Sequence, residues 1–460
     1  MQTDFGTSAL YDCATLEPAI LRQSTEALAK PLSWPRARIV AHQETSLRQT
    51  LRHAANKSPY FRDVIGRLVE TDAPLGAYPT MGKSILMAEF DRIVTDPRLT
   101  RAMVEDHAGS RNCGQLLLNE YRVLATGGSS GQRGVFVYDR KSWETVSGTI
   151  GRWNRLSGAL PTARVVGIGA PSPVHLSNRF YAEIRVTNPE APRLSVVTPI
   201  EEIVDSLNRY QPDIISTYPS LIRRLAEEQV AGRLRISPAT MRSVAEALSP
   251  DVRELARVAW NIQLINGYSS TEVPGIASEC LAHEGLHLSE DTLILEIVDD
   301  DLQPVLPGRP GSKALITSFL KNTIPIIRYE FSDILTAIEG PCACGCQFRR
   351  IKDVEGRREE MLYTLTSDGK RIEVHAPRFW FHLVRVPGIR HYQFAQLPKG
   401  IAIRVVPEPS HDADSAKAAV ERIAQVALAD LGADSGQFEV HIVDEIRRTG
   451  NAAKQKLVTT

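Results

Sequence analysis

No stretch of the chain approaches eighteen consecutive apolar residues, so no membrane-spanning helix is expected. Neither sign of charge dominates: Lys plus Arg and Asp plus Glu each number 54. That balance removes the usual reason to expect bulk binding to nucleic acid or to an anionic membrane. The start has no basic segment leading into an apolar core and carries Asp4, Asp12 and Glu17 instead, so no secretory signal is read there. Repeats of 20–50 residues and low-complexity segments are also missing, which argues against a solenoid and against a disordered chain. What remains is an ordinary soluble globular composition, 43% hydrophobic and 23% charged, over 460 residues. That length exceeds a usual single core and implies two or more domains.

Cysteine is scarce but clustered. Three of the six fall in Cys342-Ala343-Cys344-Gly345-Cys346. In a large chain without a secretory signal, such crowding points to metal or thiol chemistry before disulfides, and favours the cytoplasm.

Periodicity divides the chain. Residues 45–66 read as one helix running into Ser58-Pro59-Tyr60-Phe61. From about residue 160, short apolar runs alternate with helical patterns. Ala163–Gly169 reads as a buried strand, Pro199–Gln211 as a helix, Ile214-Ile215 as a strand, and Ser220 as the cap of the next helix. Met241–Ala245 and Gln263–Asn266 continue the alternation. The pattern predicts an α/β domain with substantial parallel sheet. The last hundred residues read as a small α+β domain: strands Ile401–Val406 and Phe438–Val443 flank a helix capped by Asp414 or Ser415 and ended by Gly432. The division is placed at 1–353 and 354–460.

The strongest local signal is Thr126-Gly127-Gly128-Ser129-Ser130-Gly131-Gln132-Arg133-Gly134. Glycines let backbone amides approach phosphate, and hydroxyls add donors. A strand, Val135–Tyr138, follows, so the stretch is a loop between strands and not a Walker loop.

Four further segments follow in order: Ser243-Val244-Ala245-Glu246-Ala247, Asn266-Gly267-Tyr268-Ser269-Ser270-Thr271-Glu272, Ile327-Arg328-Tyr329-Glu330-Phe331-Ser332-Asp333 and Val354-Glu355-Gly356-Arg357-Arg358-Glu359-Glu360. With the loop, they resemble the ordered motifs of the adenylate-forming superfamily, specifically its phenylacetate–CoA ligase branch. Ser58–Arg62 and Tyr78–Lys83 suit the same branch. The resemblance covers about residues 45–458. It implies a large N-terminal ATP- and carboxylate-binding domain and a small mobile C-terminal domain. Thr126, Gly127, Gly128, Ser129, Ser130, Gly131 and Arg133 would then hold phosphates, and Ala245, Glu246 and Ala247 would flank adenine. Tyr268 would stack on adenine beside Ser269, Thr271 would bond the α-phosphate, and Glu272 would hold Mg²⁺, whose hard character suits oxygen ligands. Asp333 would accept from the ribose hydroxyls, Arg357 would touch ribose or phosphate, and Glu359 would be the pivot. The catalytic lysine aligns with Lys454, with Lys456 as its competitor.

The chain departs from the pattern in several places. Arg133 and Gly134 stand where Pro and Lys are usual, Phe331-Ser332 replaces Thr-Gly before Asp333, and Ala453 replaces the glycine before Lys454. Arg133 retains a positive charge for the departing phosphates.

Cys280-x6-His287 with Cys342-x-Cys344 also resembles a pattern of that branch. Four such ligands suit tetrahedral Zn²⁺ in a closed structural site, with His283 and Cys346 as alternative donors. The function implied is ATP-dependent activation of a carboxylic acid as an acyl adenylate. Transfer to coenzyme A would follow, with an aryl or arylalkyl acid as substrate. Transfer to an amine or a carrier-protein thiol shares every motif. A nucleotide-binding protein without catalysis is the third reading. Pro171–Tyr181 is a candidate wall of the acid pocket.

Overall fold

A computed structural model describes residues 13–126, 134–158, 160, 162–320, 323–354, 356, 362–366, 368–374, 386, 389–398, 400–408, 411–430, 433, 437–446 and 458–459. The protein is α/β, with a large mixed sheet and a small C-terminal sheet.

The N-terminal part opens with helices. The single helix expected over 45–66 is two, Arg36–Lys57 and Pro59–Glu70. Pro59 has no N–H to continue the first helix. It opens the second instead, and the Ser58 hydroxyl caps that helix by accepting from the Phe61 amide at 3.3 Å. A hairpin follows, β1 (Arg122–Ala125) against β2 (Val135–Tyr138), paired from Arg122↔Tyr138 to Ala125↔Val135.

The parallel part of the main sheet comprises β3 (Val165–Ile168), β4 (Ile214–Thr217), β5 (Thr240–Ser243) and β6 (Ile265–Tyr268). All but Tyr268 at its far end are buried, as expected of strands covered by helices on both faces. Helix Ile200–Tyr210 packs Ile203, Val204 and Leu207 into that core and ends at Gln211, which takes the left-handed conformation. The helix after β4 starts at Pro219 with Tyr218 as its N-cap, so Ser220 lies inside the helix and is not its cap. The sheet then turns antiparallel through β7 (Ala277–Glu279) and β8 (Leu286–Leu288).

A three-stranded antiparallel sheet of β9 (Leu293–Val298), β10 (Lys313–Ser318) and β11 (Ile326–Phe331) forms a second layer. Two short strands, β12 (Ala337–Ile338) and β13 (Arg350–Ile351), complete the main sheet, in the order β12-β13-β8-β7-β6-β5-β4-β3. A fully buried pair, Arg152 to Asp291 at 2.7 Å for each nitrogen, ties helix Arg140–Leu156 to the chain after β8.

The C-terminal part begins with the hairpin β14 (Leu362–Leu365) and β15 (Arg371–Val374). A four-stranded sheet follows, from β16 (Ile389–Leu397), β17 (Gly400–Pro407), β18 (Phe438–Ile442) and β19 (Val458–Thr459). Helix Ala413–Asp430 lies on it, and Phe394, Ile403, Val405, Val420, Ala424 and Val440 form a core of their own. Its cap is Asp412, whose carboxylate accepts from the Ser415 amide at 2.8 Å, two residues before Asp414, the nearer of the expected caps. Arg390 on β16 reaches Glu227 on helix Pro219–Val230 at 2.8 Å. Among the described residues no helix is long and apolar enough to cross a membrane.

Candidate active site

The hairpin fixes the mouth of the glycine-rich loop. Thr126 N donates to the Gly134 carbonyl at 2.9 Å, and Gly134 N donates back to the Thr126 hydroxyl at 2.8 Å. The Thr126 side chain is thus engaged in closing the loop. Gly127, Gly128, Ser129, Ser130, Gly131 and Arg133 lie outside the described residues, as do Arg357, Glu359, Lys454 and Lys456.

The carboxyl ends of β5 and β6 are neighbours, the usual place for a ligand in an open parallel sheet. After β5, Ala245 takes φ 72°, a left-handed conformation that a Cβ makes costly by about 1–2 kcal/mol. Glu246 turns back and accepts from the Ser220 amide at 3.1 Å, inside the first turn of the neighbouring helix. That contact satisfies one of the helix's free N–H groups. Ala247, the next residue along the same turn, is exposed, whereas Ala245 and Glu246 are half-buried.

After β6 the chain makes a compact loop. Ser269 accepts from the Gly275 amide at 3.0 Å. The Tyr138 hydroxyl, at the end of β2, lies 2.7 Å from the Thr271 carbonyl and 3.2 Å from that of Glu272. The loop hairpin and the Thr-Glu pair are therefore one construction. Thr271, Glu272 and Asp333 are all buried. Tyr268 donates to Asp333 at 2.7 Å, joining the end of β6 to the turn after β11. Burial first, and the Glu272 carboxylate second, raise both Tyr138 and Tyr329 well above the usual phenol range, so both stay protonated.

One residue had no role in the sequence reading: Lys83. Its Nζ lies 3.2 Å from Glu272 Oε1. The segment before it is pinned to β11. Met81 bridges Tyr329, Thr80 donates to Glu330 at 2.6 Å, and the Arg328 guanidinium reaches the carbonyls of Gly76 and Tyr78 and the Glu296 carboxylate. The Tyr78–Lys83 stretch stood out in the sequence, but only folding brings it against Glu272.

Just before residue 354, Asp353 accepts from Asn266 at 2.8 Å and pairs with Arg253 at 3.0 Å. Arg253 also holds Glu279 at 3.0 Å. Gly356 accepts from the Ile334 amide, one residue after Asp333.

The cysteine cluster is built by the antiparallel end of the main sheet. Pairing of β8 with β13 sets His287 opposite Arg350, and Cys280 follows β7. The turn between β12 and β13 supplies Cys342 and Cys344. The four donor atoms of Cys280, His287, Cys342 and Cys344 lie within 4.8 Å of one another. Cys280 Sγ is 3.6 Å from Cys342 Sγ, and Cys344 Sγ is 3.3 Å from His287 Nε2. The opposite ring nitrogen, Nδ1, lies 3.2 Å from the Phe348 carbonyl. Donation there leaves Nε2 with a lone pair facing the thiols, the arrangement a metal-binding imidazole needs. Burial lowers the His287 pKa, which keeps the ring neutral. Burial pushes the Cys280 thiol up to about 12. Three thiols and a neutral imidazole are a donor set suited to a closed tetrahedral ion. Cys346 packs instead with Ile39 and Phe348, and His283 sits 3.9 Å from Glu279.

No family model matches the chain. A phenylacetate-coenzyme A ligase of Pseudomonas putida is 25% identical over 339 residues, covering 70% of this chain and 71% of that protein. 2-Hydroxyisobutyryl-CoA ligase in its postadenylation state shares the fold at a TM-score of 0.76 and 17% identity, covering 94% of this chain and 91% of that one. The chain belongs to the adenylate-forming superfamily. A phenylacetate-coenzyme A ligase of Thermus thermophilus is 26% identical over 209 residues, 44% of this chain, and the match spans less than half (45%) of that relative's length. The segments singled out in the sequence lie at the ends of β5, β6 and β11, and the Tyr268–Asp333 bond joins the last two.

Proposed function

We propose that the protein is an acid ligase. It activates a carboxylic acid with ATP as an acyl adenylate and then transfers the acyl group to coenzyme A. The observation that supports this reading is that Thr271 and Glu272 follow Tyr268 at the end of β6, that Tyr268 bonds Asp333 after β11, and that Tyr138 of the hairpin whose mouth Thr126 and Gly134 close bonds the Thr271 and Glu272 carbonyls.

In the first half-reaction a carboxylate oxygen bonds to the α-phosphorus, and the bond to pyrophosphate breaks. Asp333 orients the ribose, Thr271 holds an α-phosphate oxygen, and Lys454, in the C-terminal tail, stabilises charge as it shifts onto phosphate. Glu272 is the residue that would hold Mg²⁺, which supplies charge neutralisation and orientation for the polyphosphate. In the second half-reaction a thiol attacks the acyl carbon and AMP leaves. Glu359 is the pivot about which the small sheet moves between the two steps.

The acid is proposed to be aryl or arylalkyl. An amine or a carrier-protein thiol as acceptor uses the same site. The cysteine cluster is proposed to hold one structural Zn²⁺, and its reduced thiols suit the cytoplasm. A screen of carboxylic acids for pyrophosphate release, run with and without coenzyme A, tests the reading. Acid-dependent pyrophosphate release with thioester formed only when coenzyme A is present is the expected result. Release with no thioester points to the other acceptors. No release with any acid removes the enzyme.

A further inference from the structure

The four donors of the cysteine cluster are not equally sheltered. Cys280, His287 and Cys342 are buried, whereas Cys344 is exposed. Gly345 beside it is left-handed, and a Cβ placed there would meet nothing within 4 Å. The outer side of the turn is therefore open at one sulfur. The arms that carry the cluster are tied without the sulfurs. Arg350 is buried and donates to the carbonyls of Glu284, Gly340 and Pro341 at 2.8, 3.2 and 3.0 Å. That grip keeps the three sulfurs, which lie within 4.8 Å of one another, together whether or not an ion sits between them.

Cys280 also adjoins the support of β6. The residue before it, Glu279, is buried, accepts from the Asn266 amide at 2.6 Å and holds Arg253 at 3.0 Å. Arg253 holds Asp353, which accepts from the Asn266 side chain at 2.8 Å. Asn266 lies two residues before Tyr268. A pull on Cys280 thus acts one peptide away from the brace that sets the end of β6.

We propose that the cysteine turn is a thiol switch worked by hydrogen peroxide, in which Cys344 is oxidised and then bridged by Cys280. The inference rests on the structural-ion reading. With an ion bound, the cysteines are thiolates. The Cys344 thiolate attacks one oxygen of the peroxide, the O–O bond breaks and hydroxide leaves, which gives a sulfenic acid. The Cys280 thiolate attacks that sulfur, the S–O bond breaks and a second hydroxide leaves. Two thiolates have lost two electrons, and one peroxide has gained them. A bond between Cys342 and Cys344 would close a ring around Ala343 alone, whereas Cys280 comes from the other arm and crosslinks β7 to the turn before β13. The disulfide draws two sulfurs to about 2 Å and removes two of the three thiolate donors, so the ion leaves. The Glu279 brace shifts with Cys280, and the end of β6 loosens.

The test uses wild-type protein loaded with Zn²⁺, its metal content counted beforehand. Hydrogen peroxide is added in steps. Released Zn²⁺ is read with a chromogenic chelator, disulfides by peptide mapping, backbone opening by hydrogen exchange over residues 263–280, and turnover by pyrophosphate release. The expected result is one Cys280–Cys344 disulfide for each ion released. Exchange at β6 and β7 should rise, and turnover fall, by about tenfold each. A thiol reductant with Zn²⁺ should restore all four readings. Cys346→Ser should leave the release curve unchanged, because Cys346 packs with Ile39 and Phe348. Zinc retained through the titration would overturn the switch. So would ion release with Cys344 found only as sulfinic acid, or with a bridge to Cys342 in place of Cys280. Release and bridging with exchange and turnover unchanged would refute the link to β6. Protein that takes up no Zn²⁺ at the start would overturn the structural-ion reading, and the switch with it.

Discussion

The cysteine turn and the nucleotide side solve opposite problems with buried polar groups. At the turn, three sulfurs and one imidazole nitrogen face one another with no carboxylate or ammonium among the four. Their own hydrogen bonds, at 3.6 and 3.3 Å, are weak ones to sulfur. On the proposed nucleotide side each acid already has a partner: Glu272 has Lys83 and Asp333 has Tyr268. Donors that converge on a common centre suit an ion that stays. Acids parked on exchangeable partners suit a ligand that comes and goes, because each partner satisfies the charge between turnovers.

That contrast can be broken by mutation. Glu272→Gln should lower the rate of pyrophosphate release about 100-fold and leave the melting temperature and zinc content near wild type. Rates near wild type at limiting Mg²⁺ would remove Glu272 from the site. Cys342→Ser should do the reverse. Zinc should fall from about one per chain to nearly none, and the melting temperature should drop by about 5–10 °C, since loss of the ion is loss of folding free energy. Metal analysis of protein purified without added metal, with calorimetry before and after a strong chelator, measures both. Thermal stability indifferent to the chelator would refute a structural ion. Tyr268→Phe removes one hydrogen bond to a buried carboxylate and should change ATP affinity about five- to tenfold, read by titration, with the cysteine turn unaffected.

The smallest effect is one of pH, and it sharpens the comparison at the turn. Glu290, three residues beyond His287, is buried with Arg36 and Arg349 as partners. Burial raises its pKa, but the Arg36 hydrogen bond and the Arg349 charge outweigh it and hold the carboxyl below the usual range. A depressed carboxyl contributes stability above its unfolded pKa and loses it as pH falls through the folded value. Chemical denaturation at steps from pH 6 downward should therefore show a falling midpoint in zinc-free protein too. Glu290→Gln should flatten that slope, and an unchanged slope would place the acid sensitivity elsewhere.

Local order was the most legible part of the chain. Helix Ile200–Tyr210 followed from its apolar period, and β3 to β6 from short buried runs. Helix starts were read less well where two signals competed. Pro59 overrode a continuous helical pattern, and Pro219 moved the start of its helix ahead of Ser220. The metal donors raise a subtler point. Cys342, Cys344 and Cys346 alternate as if on one face of a strand, yet Cys346 turns away to Ile39 and Phe348. Gly345 lies between them at φ 83°, and that left-handed residue breaks the alternation. Lys83 was not legible as a site residue because nothing near it in sequence reports Glu272. Its placement depends on the pairing of Met81 with Tyr329, a long-range contact with no local signature.

The ion pair between Arg390 and Glu227 bears on the proposed movement of the small sheet. Both side chains are partly exposed, at 37% and 27%. A pair of that kind contributes about 1 kcal/mol at most, a bias of about fivefold. Driving a two-state equilibrium from 1:99 to 99:1 takes a preference of about 10⁴-fold. This contact therefore acts as a detent and not a lock. If the small sheet moves as proposed, this pair alone does not decide its position.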